Sequence, residues 1–180
     1  MKVSIVLAAL LFIPAPAPAQ AVVQPPAPAG SWSWPLSPRP AVLRVFDPPD
    51  QPWLSGHRGV DLQLASDGVP VTSPAPGTVS FVGFVVDRPV VTIDHGNGLR
   101  SSFEPVESTL RPGAAVVKGS VLGRAVPARS LPGHCGATMC LHWGVRRGGE
   151  YLNPLAFVMD LRPSILLPPV NPGSGLGGSG

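Results

Sequence analysis

Thr78-Val79-Ser80-Phe81-Val82-Gly83-Phe84-Val85-Val86 and Pro89-Val90-Val91-Thr92-Ile93-Asp94 are apolar, β-branched runs separated by Asp87-Arg88, and together they read as a hairpin. His95-Gly96-Asn97-Gly98 follows as a second turn, because Asn-Gly accepts positive φ at little cost. Leu99 to Phe103 then returns as a third strand. Working outward, short strands are predicted at Ala41–Phe46, at Gly59–Leu64 and at Val69–Thr72 on one side. On the other, Ala114–Val117, Ser120–Val126 and Leu141–Arg146 continue the series, punctuated by Pro112-Gly113 and Lys118-Gly119. No window of ten residues carries a helical period, apart from one expected turn at Asn153–Met159. The fold class this predicts is all-β, an antiparallel sheet or barrel-like sandwich with little helix.

The ends of the chain read differently. Residues 1–19 combine Lys2, an apolar run from Val3 to Ile13 and an Ala17-Pro18-Ala19 cleavage site, the pattern of a secretory signal peptide. The apolar run is too short to span a bilayer, so no membrane span is expected after its removal. Residues 20–31 form a stiff Pro/Ala-rich linker, residues 32–162 the β domain, and residues 163–180 a flexible Pro/Gly/Ser tail. Trp32 and Trp34 are expected to tuck the entry segment onto the core; a ligand-stacking pair is the other reading. Export places the protein outside the cell or in its envelope, where disulfides persist, so Cys135 and Cys140 are expected to form one local bridge. A net charge of +3 with no basic cluster longer than Arg146-Arg147 leaves no nucleic-acid footprint.

Chemistry concentrates in Gly56-His57-Arg58-Gly59-Val60-Asp61 and Cys140-Leu141-His142-Trp143. Side chains two or four apart on a strand share a face. His57 and Asp61 would therefore point the same way, with Gly59 between them leaving room for an ion. Cys140 and His142 likewise share a face, while Leu141 and Trp143 point to the other. If the two segments are neighbours, His57, Asp61 and His142 converge as two imidazoles and a carboxylate. That donor set suits a catalytic zinc, which keeps its fourth position for water.

Five segments, in order, resemble the lysostaphin-type (LytM-like) zinc metallopeptidases, a family of peptidoglycan hydrolases. They are His57-Arg58-Gly59-Val60-Asp61-Leu62; Gly68-Val69-Pro70-Val71 with Ala75-Pro76-Gly77-Thr78-Val79; Val91 to Gly98; Val116 to Gly123; and Leu141-His142-Trp143 with Asn153-Pro154. The resemblance spans about residues 54 to 158 and implies the duplicated hybrid-motif β fold. It also implies Zn2+ on His57, Asp61 and His142, and bacterial peptidoglycan as substrate.

Two positions depart from the family pattern. The first histidine of the family's His-x-His pair is Cys140, and the histidine of its Tyr-x-His-Leu segment is Pro105. Glu104 lies beside the latter and is expected to face away from the site as a surface carboxylate. His134, next to Cys135, is the candidate replacement base; the plainer reading is a loop histidine beside a staple. His95 is expected to hydrogen-bond within its turn. A reduced Cys140 facing the ion would instead close the site with four ligands. The expected function is a secreted zinc endopeptidase acting on peptidoglycan cross-links. The alternative is a catalytically degenerate module of the same fold that binds peptidoglycan or regulates an amidase.

Overall fold

The structure is a computed structural model, and it describes residues 31–126, 135 and 138–161. The predicted signal peptide, the linker up to residue 30, the tail and His134 lie outside the described residues.

Among the described residues, eleven strands occur in chain order: β1 (Val42–Arg44), β2 (Val60–Gln63), β3 (Pro70–Thr72), β4 (Gly77–Val85), β5 (Arg88–Asp94), β6 (Leu99–Glu104), β7 (Val106–Glu107), β8 (Ala115–Val116), β9 (Val121–Ala125), β10 (Cys140–Arg147) and β11 (Glu150–Leu152). One helical turn, α1 (Leu155–Val158), follows. The large sheet runs β1-β2-β10-β6-β5-β4-β8, with β11 added to β10; the small sheet runs β3-β9-β7. Every pairing is antiparallel. The all-β expectation holds, as two open sheets sharing one core rather than a closed barrel.

The core follows from strand alternation. In β6, Leu99, Ser101 and Phe103 are buried while Arg100, Ser102 and Glu104 are not. In β10, Leu141, Trp143 and Val145 are fully buried beside Val60 and Leu62 of β2 and Val91 and Ile93 of β5. Val71, Val106, Leu122 and Ala125 of the small sheet join the same cluster. Trp32 is buried as well: its ring lies 4.5 Å from Phe157 of α1 and 6.4 Å from Trp143, and its backbone N–H donates to the Phe157 carbonyl. The entry tryptophan is therefore core, as expected. Trp34 packs partly buried against the core beneath the Arg39 guanidinium.

Three details differ from expectation. Val85 pairs with Arg88, so the first hairpin turns at Val86-Asp87 and not at Asp87-Arg88, with Val86 at φ 59°. The strands β7 and β11 were not foreseen; both are short and β11 lies off the main path. Between β6 and β7 stands the buried Pro105, which lacks an N–H for the ladder. There the chain leaves the large sheet for the small one. Among the described residues no helix is long and apolar enough to cross a membrane.

Candidate metal centre

Strands β2 and β10 are neighbours, and their register sets His142 directly opposite Asp61. His57 precedes β2, held by reciprocal backbone hydrogen bonds with Asp47. The three side chains converge. His57 Nε2 lies 3.0 Å from Asp61 Oδ1, His142 Nδ1 lies 2.9 Å from the same oxygen, and the two ring nitrogens are 3.2 Å apart. Atoms bound about 2.0–2.2 Å from a tetrahedral zinc stand about 3.3 Å from each other, so the triangle has the dimensions of three ligands around one ion. Asp61 and His57 are buried and His142 is half-buried, so His142 is the most solvent-accessible of the three.

The tautomer of His57 follows from its other nitrogen. Nδ1 lies 2.7 Å from the Val45 carbonyl, which can only accept, so Nδ1 carries the proton. In the neutral ring Nε2 then presents a lone pair toward a carboxylate oxygen and a second imidazole nitrogen. Two arrangements account for this spacing: a His142 Nδ1–H that donates to Asp61 Oδ1, or a metal ion shared by the three atoms. The hydrogen bond to a backbone carbonyl is the kind of outer partner that orients a ligating histidine. The donor set is chemically suited to zinc.

Gly59 makes the convergence possible. A Cβ there would lie 2.6 Å from His142 Nε2, 2.7 Å from His142 Cε1 and 2.5 Å from the Trp143 carbonyl. The room predicted for an ion at Gly59 is taken by the His142 ring itself. Leu141 and Trp143 point into the core as expected and fix β10 from behind.

Cys140 is bonded to Cys135. Glu104 requires a correction. It is directly opposite His142 in the β6–β10 register, hence on the same face of the sheet as His142, not turned away. Its carboxylate accepts from Arg88 Nη1 at 3.2 Å. The sequence held a signal that could have shown this: Phe103 and Trp143 are large apolar residues suited to the core, and placing both there sends Glu104 and His142 to the other side. His95 hydrogen-bonds at its turn as expected. Its Nδ1–H donates to the Pro76 carbonyl at 2.8 Å, and the Ser101 hydroxyl donates to Nε2 at 2.7 Å. Burial pushes its pKa below the ordinary histidine range. Arg58 ties the loop before the site by donating to the Pro52 and Leu54 carbonyls.

An antiparallel β domain carrying this His/Asp/His set on one sheet face has the build of a metallopeptidase-type domain. The chain belongs to peptidase family M23, whose sequence profile matches residues 55–154 and so includes all three donors. An uncharacterized protein of Mycobacterium tuberculosis is 43% identical over 128 residues, covering 69% of this chain and 50% of that protein. A Mycobacterium bovis protein matches equally. The chain thus spans about half the length of the curated relatives it matches.

Solved structures share the fold. A zinc-containing peptidase from Vibrio cholerae aligns with TM-score 0.58 at 18% identity, over 71% of this chain and 40% of that one. The catalytic domain of lysostaphin from Staphylococcus simulans aligns with TM-score 0.54 at 16% identity, over 66% and 92%. A chain of the SpoIIIAH–SpoIIQ complex aligns with TM-score 0.58 at 21% identity, over 70% and 99%.

Proposed function

We propose that this protein is a zinc-dependent endopeptidase that cleaves peptide cross-links of bacterial peptidoglycan in the cell envelope. The observation that carries the reading is the 2.9–3.2 Å triangle of His57 Nε2, Asp61 Oδ1 and His142 Nδ1, with His57 Nδ1 committed to the Val45 carbonyl. These three residues are the proposed ligands. When bound, zinc supplies Lewis-acid polarisation of an amide carbonyl and acidifies water toward neutral pH.

The chain's own residues do the remaining work. The Val45 carbonyl keeps the proton off His57 Nε2, and β2 and β10, backed by Leu141 and Trp143, hold Asp61 and His142 in register. Proton transfer is assigned to His134. It is the chain neighbour of Cys135, whose sulfur lies within 4.8 Å of an Asp61 carboxylate oxygen. General-base assistance is worth about 10²–10⁴ in rate. His134→Ala is therefore expected to slow hydrolysis by that order while zinc content stays unchanged. Unaltered hydrolysis would remove His134 from the mechanism.

A second reading is favoured by one specific observation, that a proline and a disulfide-bonded cysteine stand where the family pattern has histidines. On it, the protein is a peptidoglycan-binding or amidase-regulating module that keeps the fold and the ion. Metal analysis and a wall-digestion assay on wild type and His57→Ala separate the two. The first reading expects stoichiometric zinc and released wall peptides from wild type alone. Zinc without digestion moves the conclusion to the second. Absence of zinc from gently purified wild type removes the metal from both.

A further inference from the structure

The disulfide lies against the metal centre. Cys140 opens β10 two residues before His142 and on the same face, with Leu141 between them turned into the core. It is almost as buried as the centre itself. The sulfurs of Cys135 and Cys140 and a carboxylate oxygen of Asp61 all lie within 4.8 Å of one another. Asp61 therefore belongs to two groups at once, the triangle with His57 and His142 and the pair of sulfurs.

A disulfide sulfur carries no negative charge and is a poor partner for zinc, whereas a cysteine thiolate is among the strongest ligands zinc finds in proteins. The oxidation state of this bond thus decides how many good donors surround the centre. Oxidised, there are two nitrogens and an oxygen. Reduced, a sulfur joins them. Zinc–sulfur and zinc–oxygen bonds of about 2.3 and 2.1 Å at a tetrahedral angle put the two ligand atoms about 3.6 Å apart. Cys140 shares a 4.8 Å set with Asp61 but with neither histidine, so coordination also needs its sulfur to swing toward the two imidazoles, a side-chain torsion that is free once the bond to Cys135 is gone.

We propose that Cys140, when the Cys135–Cys140 bond is reduced, is a fourth ligand to the metal held by His57, Asp61 and His142. Disulfide formation is then what keeps a coordination position open. This rests on the reading that the triangle holds a metal, and not on hydrolysis. The step balances with a dithiol as reductant. One thiolate of the dithiol attacks a disulfide sulfur and its second thiol closes the cyclic disulfide. The two electrons and two protons end on Cys135 and Cys140 as thiols. On coordination the Cys140 S–H proton passes to solvent as the sulfur–metal bond forms. Closed four-ligand zinc sites are structural, so reduction leaves no position for water.

The test uses the full chain and Co2+, a spectroscopically visible substitute for zinc. Protein is reduced with dithiothreitol, freed of it anaerobically, and loaded beside an oxidised sample. Oxidised protein is expected to show only weak d–d absorption. Reduced protein is expected to add an intense thiolate-to-cobalt charge-transfer band in the near ultraviolet. Zinc affinity, from chelator competition, is expected to rise at least about tenfold on reduction. Cys135→Ser should show the band without reductant, and Cys140→Ser should lack it under all conditions. Both variants lose the same disulfide, so a structural cost common to them cannot produce that difference. Two titratable thiols in the reduced protein with no charge-transfer band would overturn the proposal, as would a band that survives in Cys140→Ser. If oxidised protein takes up no Co2+, the metal-dependent function fails, while the band in the reduced sample still decides the role of Cys140.

Discussion

A methyl group at position 59 has no space to occupy. A Cβ there falls within 2.7 Å of two atoms of the His142 ring and against the Trp143 carbonyl, and β10 cannot retreat because Trp143 is fixed in the core. The ring is the softer obstacle. Gly59→Ala is therefore expected to turn His142 away from Asp61 and to cost about 1–3 kcal/mol of stability through overpacking. With one of three donors displaced, zinc affinity should fall by 10-fold or more, a loss at least as large as outer-sphere changes cause. Urea denaturation and chelator competition on the same preparation measure the two effects. Stability lost with zinc affinity intact would show that the His142 ring is not needed as a ligand.

The turn between β5 and β6 carries a pH dependence of its own. Burial holds the pKa of His95 below its ordinary 6.5, partly offset by its hydrogen bond to Pro76 and by the nearby Asp94 carboxylate. The Gly96 N–H, donating to Asp94, holds that carboxyl below its ordinary 3.8, with Arg100 adding to the effect against partial burial. In both cases the unfolded chain binds protons more readily than the folded one, so stability rises with pH. The His95 contribution is complete above about pH 6.5 and is lost as pH falls through the depressed folded value; that of Asp94 begins to go only below about pH 3.8. His95→Gln should flatten the difference between stability at pH 7.5 and at pH 5.5 relative to wild type, as read by urea denaturation. An unchanged slope would mean that the ring tolerates its charge where it stands. This turn was legible beforehand, since Gly96, Asn97 and Gly98 all adopt positive φ as Asn-Gly chemistry demands. The longer strands were legible for a similar reason, namely alternation enforced by one buried face. The other hairpin misled because Val86, a β-branched residue that reads as strand, sits at φ 59° in the turn. The strands β7 and β11 are short and lack the apolar β-branched run that marked β3 and β8: β7 is Val106-Glu107 after Pro105, and β11 is Glu150-Tyr151-Leu152 after Gly148-Gly149. The meeting of Asp61 and His142 could be read from neighbouring strands and family resemblance, whereas His57 reaches them from the segment before β2 and not from a shared strand face. The Val45 carbonyl could not be read, because a backbone acceptor leaves no mark in sequence.

Over the whole molecule, stability and chemistry occupy opposite faces of the same sheet. Trp143 points into the core and His142, its chain neighbour, points out of it; the same division separates Phe103 from Glu104 and Val60 from Asp61 within the row that crosses β2, β10 and β6. On the inner face Trp32 connects three separate parts, touching Phe157 of α1, Trp143 of β10 and His95 at the β5–β6 turn, with centroid separations of 4.5, 6.4 and 4.5 Å. Truncating a buried aromatic of this kind costs about 3–5 kcal/mol. Trp32→Ala should lower the urea midpoint accordingly and release the entry segment from α1. Yet the register that sets Asp61 beside His142 is made by the backbone pairing of β2 with β10, in which the indole of Trp32 takes no part. The folded fraction of Trp32→Ala is therefore expected to bind zinc with wild-type stoichiometry under conditions where Gly59→Ala does not. Zinc lost in step with stability in both variants would show that the two faces are coupled through β10, and that the centre is assembled by the core instead of being carried on it.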